Sequence, residues 1–208
     1  MRDALERVHA DIRAFAWPGL LGEPVHGPPI PSRIFLLGQA PGPHEGRLGR
    51  PFAWTAGRTL FSWFERALGA SEDEVRSRIY ISAVVRRFPG KTPSGGDRLP
   101  SREAVAAYRP FIEAEIAALQ PRLVIPVGRL AIAEVLGRES PLSEVIGRQW
   151  RLAFHGRRLD VIPLPHPSGA STWFKLEPGR TLLEKALRLI SRHPELRRAF
   201  TRQRAVAS

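Results

Sequence analysis

Four short apolar runs, each closing on a loop rich in glycine, proline or small polar residues, constrain the fold of this chain more than any other feature. The first, 33-RIFLLG-38, opens into 38-GQAPGPHEGRLGRPF-52. It is followed by 57-GRTLFSWFERALG-69, where Leu60, Phe61, Phe64 and Leu68 recur at helical spacing. The second, 79-IYISAVV-85, leads through 86-RRFPGKTPSGGDRLPS-101 into a helix from about Ser101, with Val105, Tyr108, Ile112, Ile116 and Leu119 on one face. The third, 122-RLVIPVG-128, passes into a helix near 129–137, and the fourth, 159-LDVIPLP-165, ends at 166-HPSGAS-171. Continuous apolar runs of this length fit strands buried on both faces, and the order strand, loop, helix, repeated, predicts a parallel sheet with helices on either side. The expected architecture is a three-layer α/β/α sandwich around a mainly parallel, four-stranded sheet.

Helices at 2–15 and roughly 179–192 complete the pattern, and 149-QWRLAFHGRRLDV-161 reads as a hairpin, turning at 155-HG-156, that feeds the fourth strand. The 208 residues suit a single domain over 1–194, with 195–208 as a basic tail expected to fray. In open sheets of this kind the loops at the strand C-termini gather in one crevice. The loops 38–56, 86–100 and 166–178 are therefore expected to converge.

Charge and cysteine content narrow the chemistry. The formal net charge is +12, and all the basic residues but Lys91, Lys175 and Lys185 are arginine. Arginine forks match phosphate oxygens, so a polyanion, most simply nucleic acid, is the expected partner. A GC-rich genome would explain the ratio of Arg to Lys better than it explains the net excess. There is no cysteine, which excludes disulfides, thiolate zinc sites and cysteine-held iron–sulfur clusters. The start, MRDALERVHADIRAF, is an amphipathic helix pattern rather than a leader, and no run of 18 apolar residues occurs. No membrane is expected as a partner, and a cytoplasmic, nucleoid-associated protein of bacterial type is.

The loops carry the candidate chemistry. The first fits neither G-x-G-x-x-G nor G-x-x-x-x-G-K-[ST], so it is not read as a nucleotide cradle. Phe52, between Pro51 and Ala53, is either a plug on the core or a face on which a planar ring stacks. His166 follows a strand end and precedes Pro167, which restricts its backbone and presents its ring at the crevice. The small residues Ser168, Gly169, Ala170 and Ser171 after it permit close approach of a phosphate backbone.

Together, 38-GQAPGPHEGRLGRPFAWTAG-57 and 166-HPSGAS-171 resemble the two hallmark loops of the uracil-DNA glycosylase superfamily. The likeness is strongest to its iron–sulfur bacterial branch and extends over about 33–190. The resemblance implies that Phe52 stacks on a uracil extruded from DNA and that His166 bonds uracil O2 as negative charge builds on the departing base. It places Gln39 and Ala40 in the base-contacting loop, and Pro167 to Ser171 against the DNA strand, with Trp173 or Phe174 as the wedge that fills the vacated stack. Arg86 and Arg87 are expected to contact DNA. Glu45 and Asp97 are the acids placed to orient water, although Asp97 reads equally as a surface cap, and His44 is expected to face solvent.

Departures from the branch bear on specificity. Its cluster cysteines are missing, and two of the positions hold Arg87 and Tyr108, which implies a fold held by packing. An asparagine that reads the uracil edge is replaced by Ala83, which leaves other deaminated bases, hypoxanthine or xanthine, open as substrates; Ala83 together with Ala40, where the best-known branch has a water-activating Asp, also leaves open a module that senses lesions without cutting. The short 46-GRLGR-50 before Pro51 leaves no room for the insert of the covalent-trapping branch. The expectation is a monomeric, monofunctional glycosylase acting on DNA that contains uracil or another deaminated base, without metal or organic cofactor.

Overall fold

The computed structural model describes residues 1–201. Its elements follow in the order α1 (Arg2–Ala14), β1 (Ile34–Gly38), α2 (Glu45–Leu48), α3 (Thr55–Leu68), α4 (Glu72–Arg78), β2 (Tyr80–Ala83), α5 (Arg102–Leu119), β3 (Leu123–Pro126), α6 (Arg129–Leu136), α7 (Leu142–Val145), β4 (Trp150–Phe154), β5 (Arg157–Val161), α8 (Gly179–Arg192) and α9 (Pro194–Thr201). No helix among the described residues is long and apolar enough to cross a membrane.

The sheet has the order β2-β1-β3-β5-β4. β1 pairs parallel with both β2 and β3, β3 pairs parallel with β5, and β4 pairs antiparallel with β5. The sheet therefore has five strands rather than four. The first arm of the expected hairpin joins it as an edge strand, because Trp150, Leu152 and Phe154 alternate with the exposed Arg151 and Ala153 and give β4 one face to bury.

Strand alternation divides the core between two layers. Ile34 and Leu36 of β1 face Leu60 and Phe64 of α3 and Leu183 and Leu187 of α8. Phe35 and Leu37 face Leu5 of α1 and Ile112 and Ile116 of α5. The α/β/α sandwich is thus present, with β1 buried throughout. Ser101 caps α5 by accepting from the Ala104 amide at 3.1 Å, and Ser71 and Glu74 form a full capping box on α4.

The C-terminal expectation needs correction. Residues 195–201 do not fray: they lie in α9, where Leu196 is fully buried against the α3/α8 layer. The rest of the proposed tail, 202–208, lies outside the described residues.

Where the cluster cysteines would have stood, aromatic packing joins the N-terminal segment to α5. Phe15 meets Tyr108 edge-on at 5.0 Å and Phe111 at 5.1 Å, and Tyr108 is wholly buried. The Arg87 guanidinium donates to the carbonyls of Phe15 and Gly22. An iron–sulfur cluster needs thiolates, and the chain has none, so these residues do not fit one.

Candidate functional site

The parallel order around β1 creates a switch point, since the chain leaves β1 towards β2 on one side and β3 lies on the other. Above it lies a cavity of about 390 Å³ lined by all three predicted loops. Gln39, Ala40, Glu45, Phe52, Ala83, Asp97, His166, Ser168 and Ala170 share its wall, with Pro167, Gly169 and Ser171 in the same chain segment.

The first loop is built around Phe52. Its backbone adopts φ 53, the left-handed region that a side-chain-bearing residue rarely occupies. Three contacts hold it there. Arg76 of α4 donates to the Pro51 carbonyl at 2.9 Å and to the Phe52 carbonyl at 2.8 Å. Glu45 accepts from the Gly42 amide at 2.9 Å and the Ala53 amide at 3.0 Å, tying the two ends of the loop together. The third is the close seat at the start of α3, where a Cβ on Gly57 would stand 1.8 Å from the Phe52 carbonyl oxygen. The ring lies over Gly38, where an added Cβ would meet it at 2.9 Å, and only 9% of the residue is exposed. The Phe52 ring is thus both a plug on the core and one wall of the cavity.

Burial pushes the Glu45 carboxyl above its usual range, while the amides of Gly42, Ala53 and Phe52 and the charge of Arg76 oppose the rise. Each of its oxygens already accepts a backbone N–H, so its evident work is to clamp the loop. Asp97 differs: it is exposed, pairs with Lys91 at 3.5 Å, and its Oδ2 faces Gly42 across the cavity.

His166 emerges where β5 continues past Val161, held in register by Val127 pairing with Leu164. The Ser168 amide donates to its Nδ1 at 3.3 Å. An acceptor Nδ1 leaves the proton of the neutral ring on Nε2. Burial lowers the pKa of this ring, with the charge of Asp97 opposing, and so favours the neutral form. Gln39 uses its Oε1 to accept from the Leu130 amide at 3.0 Å, at the start of α6. Its amide nitrogen has no protein partner among the described residues.

Several expectations fail on placement. Arg86 is fully buried and donates to Glu115 of α5 at 2.6 Å, so it cannot touch DNA without breaking a buried ion pair. Arg87 is half-buried and spent on two carbonyls of the N-terminal segment, away from the cavity wall. Trp173 and Phe174, expected as the wedge, are half-buried and do not line the cavity: both pack against the α3/α8 layer, Phe174 edge-on to Trp63 at 5.1 Å. His44 does not simply face solvent: its ring lies against Trp54 at 4.5 Å, and both line the cavity. Trp54, Leu99 and Pro100 were not singled out from sequence, since nothing in their spacing marks them.

Residues 24–190 match the family model described as the uracil DNA glycosylase superfamily. The chain is also similar to the type-4 uracil-DNA glycosylase of Sulfurisphaera tokodaii, 27% identical over 143 residues, which cover 67% of this chain and 61% of that protein. The type-4 uracil-DNA glycosylase of Pyrobaculum aerophilum is 31% identical over 139 residues, 65% of this chain and 66% of the relative. That of Saccharolobus solfataricus is 27% identical over 165 residues, 76% of this chain and 70% of the relative. The matched chain thus spans about two thirds of the length of these relatives.

Proposed function

Because the chain belongs to the uracil-DNA glycosylase superfamily, we propose that it hydrolyses the N-glycosidic bond of a deaminated base, uracil first, after that base is extruded from DNA into the cavity over Phe52. The observation that carries this reading is the placement of His166, with a bare Nδ1 fixed by the Ser168 amide, on the same cavity as the Phe52 ring. Its Nε2–H is then available to a developing anion.

The polar groups of the cavity favour a carbonyl-rich base. Deamination replaces an exocyclic amino donor by a carbonyl acceptor, and His166 Nε2 and the free amide nitrogen of Gln39 are donors. In the proposed step the C1′–N1 bond breaks with its electron pair passing to the base, where the charge spreads to O2 and His166 meets it. Water oriented by Asp97, the less encumbered carboxylate, adds to the oxocarbenium-like C1′, and the proton it gives up passes through solvent to the departed base anion, so that the products are a C1′ hydroxyl and the neutral base. Stabilisation of this kind counts most in a preorganised site shielded from water. No cofactor enters the step. The enzyme is proposed to act as a single-function hydrolase and as a monomer, in the cytoplasm.

A second reading is favoured by Ala83. At the end of β2 it offers no side-chain hydrogen bond to a base edge, so a hypoxanthine or xanthine ring would lose nothing there. Incubation of the protein with end-labelled oligonucleotides carrying uracil, hypoxanthine or xanthine decides between the two. Uracil release leaving an alkali-labile site is expected, and His166→Ala should lower single-turnover cleavage by about 10²–10³ with DNA affinity unchanged. Release of a purine alone would install the second reading, and binding without any release would make the chain a lesion sensor.

A further inference from the structure

The rim of the cavity carries an aromatic surface that the flipped-base reading does not use. Trp54 is 47% exposed although it stands two residues from the buried Phe52. The His44 ring lies against it at 4.5 Å and an interplanar angle of 45°. One carboxylate ties together the two stretches of chain that carry them: Glu45, next to His44, accepts from the Gly42 amide and from the Ala53 amide, next to Trp54. α3 anchors Trp54 from the other side, with the Arg58 amide donating to its carbonyl at 3.2 Å. The indole is therefore fixed in backbone and backed by a second ring, yet its remaining surface is bare. Leu99, 64% exposed, also lines the cavity.

Charge complementarity says what belongs on that surface. Arg47, Arg50 and Arg58 are exposed, lie within a few residues of Glu45 or Trp54 in the chain, and make no ion pair among the described residues. An exposed, preorganised aromatic with unpaired arginines close to it in the chain is the combination that holds a single nucleic-acid strand, bases on the ring and phosphates on the cations. A nucleic-acid strand supplies both at once, a base for the ring and a phosphate for each cation. Since the rim is continuous with the cavity, the base that reaches it belongs to a nucleotide adjoining the extruded one.

We propose that the Trp54 indole, supported by His44, stacks on the nucleobase neighbouring the extruded nucleotide and so sets how the strand is held beside the cavity. This rests on the reading that DNA is the substrate. Trp54 is a positioning residue and takes no part in breaking the bond.

The test measures equilibrium binding, by fluorescence anisotropy, to labelled oligonucleotides with a central non-cleavable tetrahydrofuran residue. Three are compared: one with all neighbouring bases, one lacking the base on the 5′ flank, and one lacking it on the 3′ flank. Trp54→Ala should weaken binding to the first roughly ten-fold, the scale of one lost stack, and Trp54→Phe should restore most of it. On one of the other two, the wild-type protein should already bind about ten-fold less tightly and Trp54→Ala should add nothing. His44→Ala should show the same dependence on that base with a smaller loss. An equal loss on all three oligonucleotides, or none on any, overturns the proposal, with melting curves checking that each variant is folded. Uracil release by the wild-type protein is assayed separately. Its failure would sink the glycosylase reading while a base-dependent Trp54 effect would stand.

Discussion

Phe52 shows how much scaffolding a single ring requires. Left-handed backbone at a phenylalanine carries strain on the order of 1–3 kcal/mol, and the arginine fork, the carboxylate clamp and the closely seated Gly57 offset it. Gly57→Ala would place a methyl within bonding range of the Phe52 carbonyl oxygen, so α3 or the loop must move. Uracil cleavage is expected to fall at least as far as in Phe52→Ala, although residue 57 itself touches no substrate. The two acids should separate in the same assay. Asp97→Asn should lower cleavage and leave the melting temperature unchanged. Glu45→Gln leaves one acceptor oxygen for two backbone donors and turns its NH2 towards the other N–H, and should lower stability by about 2 kcal/mol along with activity. If Glu45→Gln reduces cleavage at unchanged stability while Asp97→Asn does neither, the water-orienting role passes to Glu45. The residue types at this site were legible in the sequence because a loop of glycine and proline around one phenylalanine has few other uses. The clamp was not legible, because a carboxylate that accepts from amides of its own loop leaves no pattern.

At the scale of elements, strands and long helices were readable because each buries a continuous or periodic apolar surface. α9 was not, because Glu195, Arg197 and Arg198 mask a stripe whose Leu196 is wholly buried. Arg86 was misread for a related reason: its partner lies 29 residues away on α5. The available signal was Glu115 sitting within the buried stripe of Ile112, Ile116 and Leu119, since an acid there needs a buried cation. That pair anchors a network joining three elements. Tyr80 of β2 donates to Glu115 at 2.8 Å, Ser82 does so at 3.0 Å, and His9 of α1 bonds the Tyr80 hydroxyl at 2.8 Å. Burial, reinforced by the charges of His26, Arg13 and Arg86, pushes the His9 pKa down to about 3. The unfolded chain takes up that proton near pH 6.5. Between those values the unfolded state binds the extra proton, so stability falls as the pH is lowered from about 6.5 towards 3. The slope from His9 alone approaches roughly 1.4 kcal/mol per pH unit. His26, stacked on His9 at 4.0 Å and likewise lowered by burial, adds to it. Urea titrations at pH 6.5, 5.5 and 4.5 should show this loss, and His9→Gln should flatten it. An unchanged slope in that variant would place the acid sensitivity elsewhere.

Across the whole molecule, charge is distributed so that the excess stays available. Much of the acid content is tied up in ion pairs within the fold, as in Glu72 with Arg76, Glu115 with Arg86, Glu134 with Arg109, and Glu195 with Arg122 and Arg198. The net +12 therefore resides in cations such as Arg47, Arg50, Arg58 and Arg98, exposed and without ion pairs among the described residues; Arg98 lines the cavity, and the other three lie within a few residues of lining residues in the chain. The sequence carried the size of this excess, and only the fold says where it sits. A protein that neutralises Z phosphates releases their counterions, and log K falls linearly with log salt at about −0.9Z. For about five contacts, affinity for duplex DNA should drop roughly 10²–10³-fold between 50 and 200 mM salt. Arg50→Ala and Arg58→Ala should each reduce the slope by about one, and should weaken binding to uracil-containing and uracil-free DNA alike, since a phosphate contact carries no information about the base. A loss confined to uracil-containing DNA would mean that these arginines serve the cavity rather than the strand. A flat salt dependence for the wild-type protein would remove DNA as the partner, because a net charge of +12 must act through the phosphates of any DNA that the protein binds.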